Sequence, residues 1–79
     1  MSSQSPSEEE IKYSYDVLGN LKTACDAIVG HPEKKMQLVA DILPNLPDIL
    51  EAFVNLIKEE HKGIVVGVIK AATSAFRQK

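Results

Sequence analysis

Apolar residues recur at intervals of three, four and seven along most of the chain, in segments that end at a glycine or a proline. This spacing places them on one face of an α-helix, which turns every 3.6 residues. Only residues 64–69, Ile-Val-Val-Gly-Val-Ile, have the β-branched composition of a strand. A single strand has no partner with which to form a sheet, and Ala71, Ala72 and Ala75 favour a helix in the same segment. The pattern therefore predicts an all-α fold.

The breaks between apolar segments predict four amphipathic helices in one domain of residues 6–79, behind a short flexible tail of residues 1–5. The predicted helices cover residues 6–29, 32–43, 46–62 and 64–77. Their short connectors favour a small antiparallel bundle. The bundle has three helices instead if the proline break at Leu43–Asn45 only kinks a longer helix.

Cap signals mark the ends of the first helix. Ser5 is followed by Pro6, and Glu8 stands three residues after it, which predicts a capping box. Gly30 is expected to end this helix, and Pro32 prevents its continuation. Further along the chain, Pro44 closes the second helix, Asn45 is expected to cap the third, and Gly63 is expected to end it.

The predicted third helix has the clearest amphipathic pattern. At about 100° per residue its apolar side chains fall on one side. They are Leu46, Ile49, Leu50, Phe53, Val54, Leu56 and Ile57. Its polar residues, including Glu51 and Asn55, fall opposite. Within the first helix, Gly19 weakens the helical signal and suggests a close approach or a kink.

Length and composition limit the classes of protein. A chain of 79 residues gains little net stability from one core, and its single cysteine, Cys25, excludes an internal disulfide. A lone thiol fits a reducing compartment. The polar beginning of the chain does not resemble a signal peptide, and the apolar run of residues 63–76 is shorter than the ~20 residues that span a bilayer. These features predict a cytoplasmic protein.

No pattern of catalytic or metal-binding residues is evident. His31 and His61 are the only histidines, and neither has partners at the spacing of a zinc site. Cys25 lies on the apolar stripe of the first helix, where a cysteine behaves as a small hydrophobic residue. The chain contains no glycine-rich phosphate loop. We therefore predict neither an enzyme, nor a metal site, nor a cofactor.

Two further patterns have more than one interpretation. Gly63, Gly67, Ala71 and Ala75 form a ridge of small residues, which serves packing within the domain, a self-association seam or a membrane contact. Charge is also uneven: residues 1–33 carry a net −4 and residues 58–79 a net +3. This asymmetry either orients two copies of the chain or reflects solvated faces.

The favoured function is that of a protein-interaction module, a homodimer or the small subunit of a complex. It would use the apolar faces of the last two helices, because so small a bundle does not bury both fully. The candidate interface residues are Phe53, Val54, Ile57, Val65, Gly67, Val68, Ile69, Ala71, Ala75 and Phe76. One alternative is a membrane-surface or lipid-binding protein that uses the amphipathic last helix with Lys70 and Arg77. The other is a small nucleic-acid-binding regulator, which the net charge of −2 disfavours.

Overall fold

The computed structural model describes residues 6–77, which contain four α-helices and no strand. The helices are α1 (Glu8–Ile28), α2 (Lys35–Ile42), α3 (Leu46–Asn55) and α4 (Lys62–Arg77). Single 3-10 turns precede the last three: Pro32–Lys34, Leu43–Asn45 and Glu59–His61. The predicted all-α class is confirmed. The predicted tail, residues 1–5, lies outside the described residues.

The second and third helices form one kinked rod. Helical backbone continues from Lys35 through the 3-10 turn at Leu43–Asn45 to Asn55, and Leu43 itself has α-helical dihedral angles. Pro44 lacks an N–H and so interrupts the helical hydrogen bonds. Asn45 does not cap α3 as predicted; its Nδ2 donates back to the carbonyl of Asp41 at 3.0 Å. The architecture is therefore the three-helix alternative, with the proline break as a kink.

A capping box begins α1, two residues later than predicted. The Oγ of Ser7 accepts from the N–H of Glu10 at 3.1 Å, and Oε1 of Glu10 accepts from the N–H of Ser7 at 2.8 Å. The predicted pair, Ser5 and Glu8, has the same spacing, so the sequence contains the motif twice. Ser5 lies outside the described residues, and Glu8 belongs to the first turn of α1.

The end of α3 is the largest departure from the predicted boundaries. The helix stops at Asn55 instead of residue 62, and Gly63 lies inside α4 instead of ending α3. The N–H of Leu56 is shared between carbonyls of the last turn, and Lys58 adopts an extended conformation. Leu56 is fully buried, and it fixes the point at which the chain reverses toward α4.

Contacts at the two ends of α1 define the topology. Near its N-terminus, Ser14 bonds to Asn55 at the end of α3, and Tyr15 bonds to His61 just before α4. Near its C-terminus, Cys25 shares a buried cluster with Leu38 of α2 and with residues of the second half of α4. The α2–α3 rod is therefore antiparallel to α1, and α4 is parallel to it.

Two adjoining clusters of buried residues form the core. The first comprises Leu18, Ile49, Ala52, Leu56 and Val68, and the second comprises Cys25, Ile28, Leu38, Ala71 and Ala75. Both clusters contain residues of α1, of the α2–α3 rod and of α4. Close backbone approaches join α1 to α3 and to α4, whereas α3 and α4 have few with each other. The first helix is thus the common support of the other two.

Two glycines of the first helix region differ in backbone conformation. Gly30 follows α1 with φ of 89°, a left-handed conformation that disfavours a Cβ, and so fulfils the predicted helix end. Gly19 lies in the middle of α1, and no atom outside its own stretch of helix lies within 4 Å of the position its Cβ would take, so a close approach does not explain it.

We predict that Gly30→Ala lowers the free energy of unfolding by about 1 kcal/mol, because alanine is strained at a left-handed position. Gly19→Ala should raise it by up to about 1 kcal/mol through helix propensity. Urea denaturation monitored by circular dichroism at 25 °C measures both. Equal effects of the two substitutions would contradict this description of the first helix.

Candidate interaction surface

Three of the ten predicted interface residues lie in the core. Val68, Ala71 and Ala75 are at most 6% exposed, because α4 turns its small side chains toward α1 and the α2–α3 rod. They pack within the chain and are therefore excluded from the candidate interaction surface. Gly67 lies half-buried beside α1, where a Cβ would stand 3.5 Å from Cε of Lys22. At these positions the small-residue ridge serves packing within the domain.

Four of the predicted residues are exposed. Val54 and Ile57 are 67% and 76% exposed, and Ile69 and Phe76 are 53% and 42% exposed. The remaining two, Phe53 and Val65, are half-buried and pack against the first core cluster. The predicted set therefore divides into core residues, half-buried residues and solvent-facing residues.

The structure adds exposed apolar residues that sequence reasoning did not include as interface candidates. They are Leu43, Leu46 and Leu50 along the α2–α3 rod and Val66 on α4. Leu43, Leu46 and Leu50 follow the 3,4 spacing of a coiled-coil seam, and Val54 stands four residues further on. That spacing is the signal in the sequence, but helical periodicity also places Leu46 and Leu50 on the same side of the helix as Ile49, which is buried.

On α3, the exposed apolar side chains point away from α1. Asp48 and Asn55 line a groove against Tyr13 and Ser14 of α1. At about 100° per residue, Leu50 lies roughly 140–160° around the helix from both of these polar residues. The edge of α3 that carries Leu50 therefore faces the opposite side of the molecule.

The exposed apolar side chains of α4 also point away from α1. Gly67 stands against Lys22 of α1, and Ile69 and Phe76 lie roughly 160° and 180° around the helix from Gly67. Phe53 and Val65 are half-buried against the first core cluster, to which both α3 and α4 contribute. The exposed edges of both helices thus share one side of the protein, opposite α1.

We call this surface the outer face. It consists of Leu46, Leu50, Phe53, Val54, Ile57, Val65, Val66, Ile69 and Phe76. All nine side chains are large and apolar. We take the outer face as the principal candidate site of the described residues, since exposed apolar patches mark interaction sites.

A second surface, the acidic groove, lies between α1 and the α2–α3 rod. It has two adjoining depressions of about 460 and 520 Å³ that share Tyr13 and Asp48. Six carboxylates line it, and neither lysine nor arginine does: Glu9, Glu10, Asp16, Asp41, Asp48 and Glu51. Such a lining repels nucleic-acid phosphates, so this groove does not suit the nucleic-acid alternative.

The histidines stabilise local structure. Nδ1 of His61 lies 2.9 Å from the hydroxyl of Tyr15, the two rings meet edge to face at 5.5 Å, and Nε2 lies 3.3 Å from Glu60. His31 lies 3.4 Å from Glu33 in the connector after α1. Within residues 6–77 no three His, Cys, Asp or Glu side chains are grouped so as to hold a metal ion.

Cys25 is fully buried in the second core cluster. Burial raises the pKa of its thiol, and the neighbouring carboxylate of Asp26 raises it further. A raised pKa keeps the thiol protonated and unreactive, which is the opposite of what a nucleophilic cysteine needs. The prediction that Cys25 is a core residue is confirmed.

We predict that Cys25 of the folded protein reacts with a soluble disulfide reagent at pH 8 at least about tenfold more slowly than in urea, because the thiolate is the reacting species. Folding raises the pKa of this thiol, so burial of the neutral thiol contributes fully to the free energy of unfolding at pH values below the pKa of the unfolded thiol. That contribution is lost as the pH rises through the pKa of the folded thiol. Equal labelling rates with and without urea would contradict this burial.

No family model, no curated protein and no solved structure matches this chain. None of the helices in residues 6–77 combines the length and hydropathy that a membrane span requires. Function must therefore be inferred from the surfaces described above.

Proposed function

We propose that the protein is a non-enzymatic interaction module that associates with a second copy of itself through the outer face. The observation that supports this most strongly is the concentration of exposed apolar side chains on the side of α3 and α4 opposite α1. Removing such surface from water is favourable by roughly 25 cal/mol per Å². A second copy supplies a matching apolar surface at equal concentration.

The absence of chemistry at the concave surfaces supports a binding role. The acidic groove is lined by neither histidine nor cysteine, and its carboxylates belong to exposed residues. General acid–base catalysis needs carboxylates with well-separated pKa values. The free thiol of Cys25 further supports a reducing compartment, and we propose the cytoplasm.

A membrane-surface role is the second candidate. The exposed edge of α4 combines Ile69 and Phe76 with the exposed cations Lys70 and Arg77, as interfacial helices do. The same apolar residues belong to the outer face, so the two roles compete for one surface. Sedimentation with anionic vesicles at low salt separates them, because a self-association module stays in the supernatant.

We predict that Val54→Asp and Ile69→Asp each abolish self-association, because each places a charge in the middle of the outer face. Both side chains are more than half exposed in the monomer, so the fold should remain. Light scattering over a concentration series gives the mass. The wild-type mass should approach twice that of the 8.7 kDa chain, and the variants should remain monomeric.

Met36→Asp is the matched control, since Met36 is 76% exposed but lies on α2, away from the outer face. It should associate like the wild type. Circular dichroism should show equal helicity for all four proteins. A wild-type chain that is monomeric at every concentration, or two aspartate variants that associate normally, would overturn the proposal.

A further inference from the structure

The acidic groove has the length of a helix. One wall follows α1 from Ser7 to Ala24, and the other follows the α2–α3 rod from Leu38 to Asn55. The two rods are antiparallel, so Ser7 and Asn55 mark one end of the groove and Ala24 and Leu38 the other. Each wall is about 25 Å long at 1.5 Å of rise per residue. A helical segment of about 17 residues matches this length.

The floor of the larger depression is apolar. It is formed by three side chains from each wall, which are Val17, Leu21, Ala24, Leu38, Ile42 and Ile49. Leu38 and Ile49 are buried, but the other four are only half-buried. Apolar area thus remains open to solvent along the bottom of the groove, and the apolar side chains of a partner would remove it from water.

The polar residues of both walls follow the 4,3 spacing of a coiled-coil surface. They are Glu9, Tyr13, Asp16 and Asn20 on α1, and Asp41, Asn45 and Asp48 on the α2–α3 rod. Each wall therefore has two carboxylates seven residues apart, which is about 10 Å along a helix. In coiled coils, charged residues that flank an apolar stripe at this period pair with opposite charges on the neighbouring helix and determine which helix binds.

The charges of the groove favour a cationic partner. The carboxylates of Glu9, Asp16, Asp41 and Asp48 are exposed, and none has an ion-pair partner among residues 6–77. Neither lysine nor arginine lines the groove. Tyr13 is 57% exposed where the two depressions adjoin, and the face of an aromatic ring also attracts lysine and arginine.

We propose that the acidic groove binds a basic amphipathic helix of a partner protein. The apolar stripe of that helix covers the floor, and lysine or arginine side chains on both sides of the stripe pair with the carboxylates of the two walls. The bound helix becomes a fourth rod beside α1 and the α2–α3 rod. This surface is separate from the outer face, so the proposal does not rest on self-association.

A synthetic helix of about 18 residues with blocked ends is the test ligand. This basic probe has leucine and alanine at 3,4 spacing, lysine on both sides of that stripe, and a fluorescent label that reports binding by anisotropy at physiological salt. We expect saturable one-to-one binding. A matched probe with glutamate in place of lysine should not bind at about 1 mM. A probe with glutamine in place of leucine should bind at least about tenfold more weakly, because it leaves the floor uncovered.

A groove variant removes charge from both walls: Asp16→Asn with Asp41→Asn and Asp48→Asn. It should raise the Kd of the basic probe about tenfold, which corresponds to roughly 1.4 kcal/mol, because three exposed ion pairs are lost. All three side chains are exposed, so the fold should remain, and circular dichroism checks its helicity.

The matched control variant is Glu33→Gln with Glu59→Gln and Glu60→Gln. It changes the net charge equally, but its three exposed residues lie outside the groove. It should leave the Kd within about threefold of the wild-type value, since distant exposed charges are screened.

Failure of the basic probe to bind, or equal effects of the groove variant and the control variant, would overturn the proposal. A glutamine probe that binds as tightly as the basic probe would also overturn it, since the floor would then play no part. Loss of self-association in the groove variant would identify a second copy of this chain as the occupant and would likewise contradict a basic partner helix.

Discussion

The fold depends on the contact that α1 makes with both of the other rods at Leu18. This side chain is fully buried at the middle of α1, and it lies in one cluster with residues of α3 and α4. A hydrogen-bonded hydroxyl supports the same contact, because the buried Oγ of Ser14 donates to the carbonyl of Glu10 and accepts from Asn55. Hydrogen bonds of this kind avoid the cost of about 1–3 kcal/mol that a buried, unsatisfied polar group would impose where the helices meet. Both later helices therefore take their orientation from α1.

This dependence on one supporting helix explains why apolar surface is left over. In a bundle of three rods, each helix buries only the arc that faces the other two. On α3 and α4 the apolar residues extend beyond that arc. Ile49 of α3 and Val68 of α4 are buried, whereas the neighbouring Leu50, Val54 and Ile69 are exposed. The part of the chain that the structure describes, residues 6–77, contains no fourth rod to cover them. A second copy placed on the outer face would supply that missing layer.

Local chemistry allowed much of the fold to be predicted from sequence. Periodicity gave the helical class, Gly30 the end of α1, and Pro44 the break that became a kink. The candidate site was predicted only partly, because Ile49 and Leu50 are both apolar and only about 100° apart on the helix. Which of them is buried depends on Leu18, a contact distant in sequence. The early end of α3 likewise follows from burial of Leu56, and no glycine or proline marks it.

Nuclear magnetic resonance of the uniformly labelled protein over a range of concentrations tests the central claim most directly, since it locates the associating surface residue by residue. We predict that amide shifts around Leu50, Val54 and Ile69 change as the concentration rises, whereas those around Asp16 in the acidic groove stay constant. Shifts that change only in the acidic groove, or that do not change at all, would contradict the claim that the outer face is the site of association.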